Sequence, residues 1–355
     1  MIIKDFLNNI DQLSQEYELT REQTLKACEK GLISGCKKSF QVKSCRVCFQ
    51  KDYDQILLYK QYLVISEQRK EIINYKEHSC MLLEEARKID KNVQIGDILE
   101  IEVDPQNFNL HASKDFKNKF HEELIKQKRE NIYNFFKNKE NHLISAEIFD
   151  EKDNFFVLSL EKDLHTFLSK KEILYNDNFS LGEKILVLVT KVQNTTKMPK
   201  VFVSRKNVHF VIALFKEFIP EVQEGIIKIM GIARIPSDRV KVGLMTTDVK
   251  IDPIGACIGE KGIRIQNIIN VLKGEKIDLF QWSLVPEELI TNALQPAKII
   301  KVTDINTKHR TVSVIVEDNQ VSLAIGKLGQ NVKLAVQVTK WNINIRTVKQ
   351  YEQEY

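Results

Sequence analysis

The sequence predicts a multi-domain α+β protein with a small β-barrel at its centre and a duplicated α+β module at its end. Three observations carry that reading. The chain has 355 residues, more than one hydrophobic core usually organises. Five short apolar runs separated by polar turns crowd residues 143–204. A segment beginning at Gly255 recurs at Ser322, displaced by 67 positions.

Composition narrows the class. Hydrophobic residues make up 43% and charged residues 28%, so the chain can bury cores and global disorder is excluded. Seven Pro and thirteen Gly are too few for a linker-dominated chain. No apolar run reaches the roughly 18 residues that a membrane span needs, so no membrane partner is expected. The start, Met1-Ile2-Ile3-Lys4-Asp5, meets an acid at once and lacks a secretory pattern, and the expected location is cytoplasmic. Net charge is +5, but residues 1–150 hold 24 Lys/Arg against 25 Asp/Glu, while 151–355 hold 29 against 23. A polyanion is drawn to the C-terminal part; a lysine-rich solvated surface explains the same excess.

Thr20 with Gln23 forms a capping-box pattern, and Leu25, Cys28, Leu32, Ile33 and Cys36 recur at helical spacing, predicting a helix of about five turns. Ile56–Tyr59, Tyr62–Ile65 and Ile98–Val103 read as strands, so the N-terminal part is a small domain of helices and strands. From Ser113 to about Lys139, dense Lys and Glu with Phe116, Phe120, Leu124, Ile132 and Phe135 read as one long exposed amphipathic helix, a candidate spacer between domains. Six cysteines in a chain this long predict free thiols. Cys45-Arg46-Val47-Cys48 has the spacing of half a zinc site, but no second CxxC or close His pair completes it; Cys28 and Cys36 are the residues that could fold back to do so.

The runs Leu143–Ile148, Phe155–Leu160, Leu164–Leu168, Ile185–Val192 and Val201–Val203 suggest a five-stranded barrel of the OB type. Phe155, Phe156, His165 and Phe167 are its candidates for stacking on bases, at about 1–3 kcal/mol per base. Phe155 and Phe156 are adjacent, so one faces inward. His165 and Phe167 share a face and rank first, with simple packing as the equal alternative.

In the duplicated unit, Gly255-Ala256-Cys257-Ile258-Gly259-Glu260-Lys261-Gly262-Ile263-Arg264 corresponds to Ser322-Leu323-Ala324-Ile325-Gly326-Lys327-Leu328-Gly329-Gln330-Asn331. Apolar hairpins precede each copy (Ile226–Ile232 with Val240–Leu244; Ile299–Val302 with Val312–Val316), and alternating strands follow at Ile277/Leu279 and Ile343/Ile345. Hairpin, helix, GxxG, helix and strand define the KH module, whose loop clamps about four single-stranded nucleotides. Bare Cα atoms at Gly259, Gly262, Gly326 and Gly329 would let a sugar-phosphate chain approach backbone N–H groups, with the next helix pointing its positive end at the phosphates. The candidate RNA-binding residues are therefore Gly259, Glu260, Lys261, Gly262, Arg264, Gly326, Lys327, Leu328, Gly329 and Lys333, with His165 and Phe167 of the barrel. Lys261 and Lys327 suit phosphate, Glu260 repels it, and Leu328 adds no charge. Ile258, Ile263, Ile325 and Val332 would divide between groove wall and core.

Long ungapped segments carry a resemblance. Asp252-Pro253-Ile254-Gly255-Ala256-Cys257-Ile258-Gly259, then Gly274-Glu275-Lys276-Ile277-Asp278 with Trp282, then Asp318–Val332, and upstream Glu84-Glu85-Ala86 with Ile89-Asp90 and Gly96-Asp97, are similar to boxes of the NusA family of bacterial transcription factors. The resemblance runs from the N-terminal helix to about Thr347. It implies an N-terminal domain with a long linker helix, residues 1–130, that binds RNA polymerase core near the RNA exit channel. It implies an S1-type OB barrel at 135–205 and two tandem type II KH domains, at 206–284 and 285–350, that grip single-stranded nascent RNA. Pausing, termination and antitermination are the processes implied, with other antitermination factors as further partners and a monomeric chain. The chain departs from the family where Leu328 replaces a usually basic residue and where the barrel's surface aromatics match loosely. No acidic repeat region follows Tyr355, so the autoinhibition of longer members is not expected.

Catalysis finds no motif: no GxxxxGK[ST], HExxH or GxSxG is present, so no catalytic residue, cofactor or metal is assigned. The competing reading is an RNA-processing or RNA-degrading enzyme that uses barrel and KH modules as substrate grips. A ribosome-associated binding module is the third, differing only in what residues 1–110 recognise.

Overall fold

The computed structural model describes residues 4–50, 55–67, 79–248 and 250–354; Met1–Ile3 and Tyr355 lie outside them. The chain divides into two compact units, residues 1–135 with Thr196–Met198, and residues 136–195 with 199–355.

The first unit opens with α1 (Lys4–Glu16) and α2 (Arg21–Phe40). The capping box forms as the sequence predicts: Gln23 N donates to Thr20 Oγ1 at 3.2 Å and Thr20 N to Gln23 Oε1 at 3.0 Å. A four-stranded sheet follows, with β1 (Ser44–Gln50), β2 (Gln55–Ile65), β3 (Ser79–Leu82) and β4 (Ile98–Val103), and with the short helix α3 (Leu83–Ala86) between the last two. The two apolar runs read at 56–65 are thus one strand, β2, which pairs with the other three.

The helix α4 (Leu110–Lys137) corrects the reading of an exposed spacer. Ala112, Leu124 and Ile132 are buried, and Phe116 and Phe120 pack on α2. Two glycines one helical turn apart make this possible. A Cβ on Gly31 would meet Phe120 Cβ at 3.0 Å, and one on Gly35 would meet Phe108, just before α4, at 2.6 Å and the Ala112 carbonyl at 3.2 Å, so α4 lies against bare backbone. Its buried Glu123 is neutralised by Lys30 at 2.8 Å and Lys119 at 3.1 Å.

The second unit starts with a five-stranded antiparallel sheet: β5 (Leu143–Glu151), β6 (Phe155–Ser159), β7 (His165–Ser169), β8 (Lys184–Gln193) and β9 (Lys200–Ser204), ordered β7-β6-β5-β8-β9. The two edges meet where the Thr166 hydroxyl donates to the Val201 carbonyl, which nearly closes the barrel. Buried residues alternate with exposed or half-buried ones along β5, β6 and β7, as a filled small barrel requires.

Two copies of one module follow. The first comprises α5 (Val208–Phe218), α6 (Pro220–Gln223), β10 (Ile227–Ile235), β11 (Arg239–Thr246), α7 (Pro253–Ile258), α8 (Ile263–Val271) and β12 (Lys276–Gln281). The second comprises α9 (Pro286–Ala293), β13 (Ile299–Asn306), β14 (Thr311–Val316), α10 (Val321–Ile325), α11 (Gln330–Thr339) and β15 (Asn342–Thr347), with α12 (Val348–Glu354) behind it. In each, an antiparallel hairpin pairs its second strand in parallel with the last strand. The repeated sequence pattern starts at the hairpin; in the structure a helix, α5 or α9, precedes each hairpin and seals the core. One core joins the barrel's Leu174 and Leu188 to the first module, and another joins Ala233 and Phe280 of the first module to the second.

Candidate nucleic-acid interface

The segments that carried the resemblance divide into structural and exposed parts. Asp252 caps α7, accepting from Ile254 N and Gly255 N at 3.0 Å each, and Pro253 takes the first helical turn, where its missing N–H costs nothing. A Cβ on Gly255 would lie 2.6 Å from the capping carboxylate, so a larger residue there would displace the cap. Glu275 is wholly buried and holds Arg234 through Nε at 2.8 Å and Nη2 at 3.0 Å. Asp278 holds Arg239, and Trp282 lies over Gly231 and Gly243. These residues build the module and leave the loop to meet a ligand.

The two GxxG loops have one backbone. Gly259 and Gly326 sit at φ 75°, Lys261 and Leu328 at φ 52°, and Gly262 and Gly329 at φ 76° and 74°. Three left-handed residues in four turn the chain sharply between two helices. The glycines within each loop are not equivalent, which corrects the expectation that all four open a path for a phosphate chain. A Cβ on Gly259 would strike Arg264 Cγ at 2.7 Å, and one on Gly326 would strike Asn331 Cβ and N at 2.8 Å. The first glycine is thus closed by its own module. Only Gly262 and Gly329 face open space, with nothing within 4 Å of an added Cβ.

Of the sequence-derived candidates, Glu260, Lys261, Lys327 and Lys333 are exposed, and Leu328 is 90% exposed. Arg264 is held differently: Nη1 bonds both Glu221 oxygens, at 3.0 and 2.9 Å, and the Ala256 carbonyl at 2.9 Å. It braces the first loop from behind. The backbone amide of Glu221 and the Arg264 guanidinium hold the Glu221 carboxyl below its usual range against the opposing effect of burial. Ile258, Ile263 and Ile325 lie on the surface beside the loops and Val332 is half-buried, so none of the four is fully core.

On the barrel, His165 and Phe167 are both exposed, the latter 62%. Phe155 joins them, its ring 5.0 Å from Phe167, while Phe156 turns inward against Phe179. Two further aromatics are not singled out by the sequence pattern above: Phe149, 64% exposed and 4.8 Å from His165, and Phe202, 43% exposed. Strand parity marks both: Ile144, Ala146 and Ile148 point in, so Phe149 points out, and Phe202 stands between inward Val201 and Val203. Three adjacent strands thus present a nearly continuous aromatic surface.

The CxxC does not converge on a metal. Cys45 and Cys48 lie three residues apart on β1, so their side chains leave opposite faces of the strand. Cys45 turns into the core, hydrogen-bonded to Cys36. Among the described residues no group of three or more His, Cys, Asp or Glu side chains is placed to hold a metal ion, and no helix is long and apolar enough to cross a membrane.

Comparison with known proteins decides the family. Residues 5–130 match the NusA N-terminal domain, 205–282 the NusA-like first KH domain and 286–353 the NusA-like second KH domain. The chain is 34% identical to the transcription termination/antitermination protein NusA of Bacillus subtilis over 344 residues, covering 97% of this chain and 91% of that protein. It is 33% identical to the NusA of Halalkalibacterium halodurans over 344 residues, 97% of this chain and 88% of that protein. The NusA of Thermus thermophilus aligns at 36% over 264 residues, 74% of this chain and 67% of that protein. The chain belongs to the NusA family. Between the first two NusA segments lies the barrel, whose near-closed five-stranded sheet is the S1/OB architecture. The NusA fold is therefore present as the sequence predicted it: an N-terminal helix-and-sheet domain, the barrel, and two tandem KH domains.

Proposed function

We propose that this NusA family member is a transcription termination/antitermination factor that binds RNA polymerase through residues 1–130 and holds single-stranded nascent RNA with the barrel, 135–205, and the KH modules, 206–284 and 285–350. The observation that carries the RNA-holding part is the pair of GxxG loops, each with an open glycine beside an exposed lysine: Gly262 with Lys261, and Gly329 with Lys327. An open glycine lets a phosphate approach main-chain amides, and the lysine adds charge. The aromatic face of the barrel supplies stacking that tolerates any base.

Tethering is the mechanism. Each contact is weak, since the first loop pairs Lys261 with Glu260 and the second pairs Lys327 with Leu328. Docking on the polymerase raises the effective concentration of emerging RNA and makes weak contacts sufficient. The factor works in this reading as a cytoplasmic monomer, without cofactor or catalytic residue, and shares the polymerase with other antitermination factors.

The test is a pull-down of RNA polymerase from cell extract with the full chain and with a chain lacking residues 1–130, alongside RNA binding by both. Polymerase should be retained only by the full chain and RNA by both. Polymerase retained by the truncated chain would overturn the division of labour. Degradation of labelled RNA by the purified chain with phosphate and Mg²⁺ would instead favour an enzyme.

A further inference from the structure

The second KH loop is seated on the first KH module. The helix α11 begins directly after that loop and lies across β10 and β11, where a Cβ on Gly231 would come 2.7 Å from the Val338 carbonyl. From β11 the side chain of Lys241, 1% exposed, runs into the second module. Its ammonium donates to the Ala293 carbonyl at 2.7 Å, the Gln295 carbonyl at 3.1 Å and Asn331 Oδ1 at 2.7 Å.

Asn331 continues the chain of contacts. Its Nδ2 donates to the carbonyls of Leu294 at 2.9 Å, Leu323 at 3.2 Å and Ala324 at 3.2 Å. The ammonium and the amide together satisfy three successive carbonyls at the end of α9, where a cation is favoured by the helix dipole. The same amide holds the end of α10, two residues before Gly326, and the Asn331 backbone closes the space beside Gly326. A second strut comes from the hairpin turn of the first module, where the Gln330 amide donates to the Asp238 carboxylate.

The first loop is braced from within its own module. Arg264 stands where Asn331 stands, five residues after the first glycine, and donates to Ala256 as Asn331 donates to Leu323. Its anchor, Glu221, belongs to the same module. Burying an ammonium is costly unless every proton finds an acceptor, and Lys241 has three. Its position is explained by what those acceptors hold in place.

We propose that Lys241 of the first KH module is the positioning residue for the RNA-binding loop of the second, acting through Asn331. This rests on the reading of Gly326–Gly329 as an RNA contact. The second loop is then built only when both modules are docked.

The experiment uses the isotope-labelled full chain and a fluorescein-labelled single-stranded RNA oligonucleotide. Lys241→Met should move the amide resonances of Gly326, Leu328 and Gly329 while leaving those of Gly259, Lys261 and Gly262 in place, although the substitution is in the first module. RNA affinity should fall by about fivefold to tenfold. Asn331→Asp keeps an acceptor for the ammonium but loses the donor to three carbonyls; it should produce the same shifts in a chain that stays folded. Lys327→Ala should weaken binding, and in the double variant with Lys241→Met the losses should overlap. Native loop resonances in Lys241→Met and Asn331→Asp, or strictly additive losses in the double variant, would overturn the coupling while leaving the loop's RNA role standing. No effect of Lys327→Ala on affinity would overturn the RNA reading of the loop and the positioning role with it.

Discussion

Arg205 and Asp177 form a two-pronged ion pair, Nε to Oδ2 at 2.8 Å and Nη2 to Oδ1 at 2.9 Å, with side chains only 3% and 0% exposed. The remaining Arg205 donors reach the Leu186 carbonyl in β8 and the Val271 carbonyl at the end of α8. The guanidinium also lies over the rings of Phe179 and Phe210. One residue thus joins barrel to first KH module. A second buried pair, Arg234 with Glu275, donates back to the carbonyls of Arg205 and Asn207 and locks the connection. Removing one member of such a pair strands a buried charge. Arg205→Met should lower the stability of the second unit by about 3–5 kcal/mol. Arg205→Lys should rescue little, because one ammonium cannot span four acceptors in the guanidinium's geometry. Denaturant titration of the full chain checks both, and a native midpoint in Arg205→Met would contradict the account.

Much of this fold is legible in the sequence because local signals and tertiary packing agree. The Thr20 capping box, the alternation of Ile98–Val103 and the repeat displaced by 67 all report what the structure contains. Legibility fails where a second element covers a face. The apolar run Val240–Leu244 gives no sign of what becomes of Lys241 within it, which is buried and reaches Asn331 of α11. The helix α5 escapes notice because Val208–Phe215 is apolar nearly all round, having the barrel on one side and the KH core on the other. The apolar stripe of α4 shows in the sequence at Phe116, Phe120 and Leu124, but nothing there shows that Gly31 and Gly35 let α2 cover it. At the site, residue types were readable and their orientation was not: nothing in Gly-x-x-Gly says that the first glycine is closed by residue five and the second open.

The barrel face separates stacking from packing. Phe167 projects to solvent and Phe156 packs on Phe179 in the interior, although both lie on neighbouring strands. Phe167→Ala should leave the barrel folded and weaken single-stranded RNA binding by about 1–3 kcal/mol, the contribution of one base stack. Phe156→Ala should instead cost about 3–5 kcal/mol of stability through the cavity it leaves. Fluorescence anisotropy with RNA and thermal unfolding, run on both variants, distinguish the two effects. Equal RNA affinity in native and Phe167→Ala chains would place the RNA elsewhere.

The open glycines and the bare tip of the second loop make opposite predictions. Gly262→Ala meets no atom, so it should fold with about 1 kcal/mol of backbone strain, yet lose RNA affinity because the methyl stands where a phosphate approaches. Gly326→Ala should disturb the loop itself, since the Asn331 backbone lies 2.8 Å away. Leu328→Lys places a cation on a side chain that is already 90% exposed in a left-handed turn. Affinity should rise at low salt, and the slope of log affinity against log salt should steepen by about 0.7, the value for one added phosphate contact on a single strand. An unchanged slope would show that the tip does not face the backbone of the RNA.

In the first unit, the buried Glu123 of α4 is held by Lys30 of α2 and Lys119, which makes this packing sensitive to acid. Burial alone would raise its carboxyl, but hydrogen bonds from Lys30 and Lys119 outweigh that and hold it below the ordinary value of 4.5. A carboxyl whose folded value is depressed contributes its stability fully above the unfolded value, and the contribution is lost as pH falls through the folded value. Acid should therefore destabilise this unit from about pH 4.5 downward, as Glu123 takes up a proton and leaves two lysines facing each other. Glu123→Gln removes the titrating group and should lower stability at neutral pH while flattening that acid limb. Because Lys30 and Lys119 are 39% and 35% exposed, solvent screens the pair, and the neutral-pH loss should stay near 1–2 kcal/mol rather than the larger cost of a fully buried ion pair. Denaturant midpoints of the native and variant chains across the acid range check the sign; an acid limb equally steep in Glu123→Gln would assign the titration to another carboxylate.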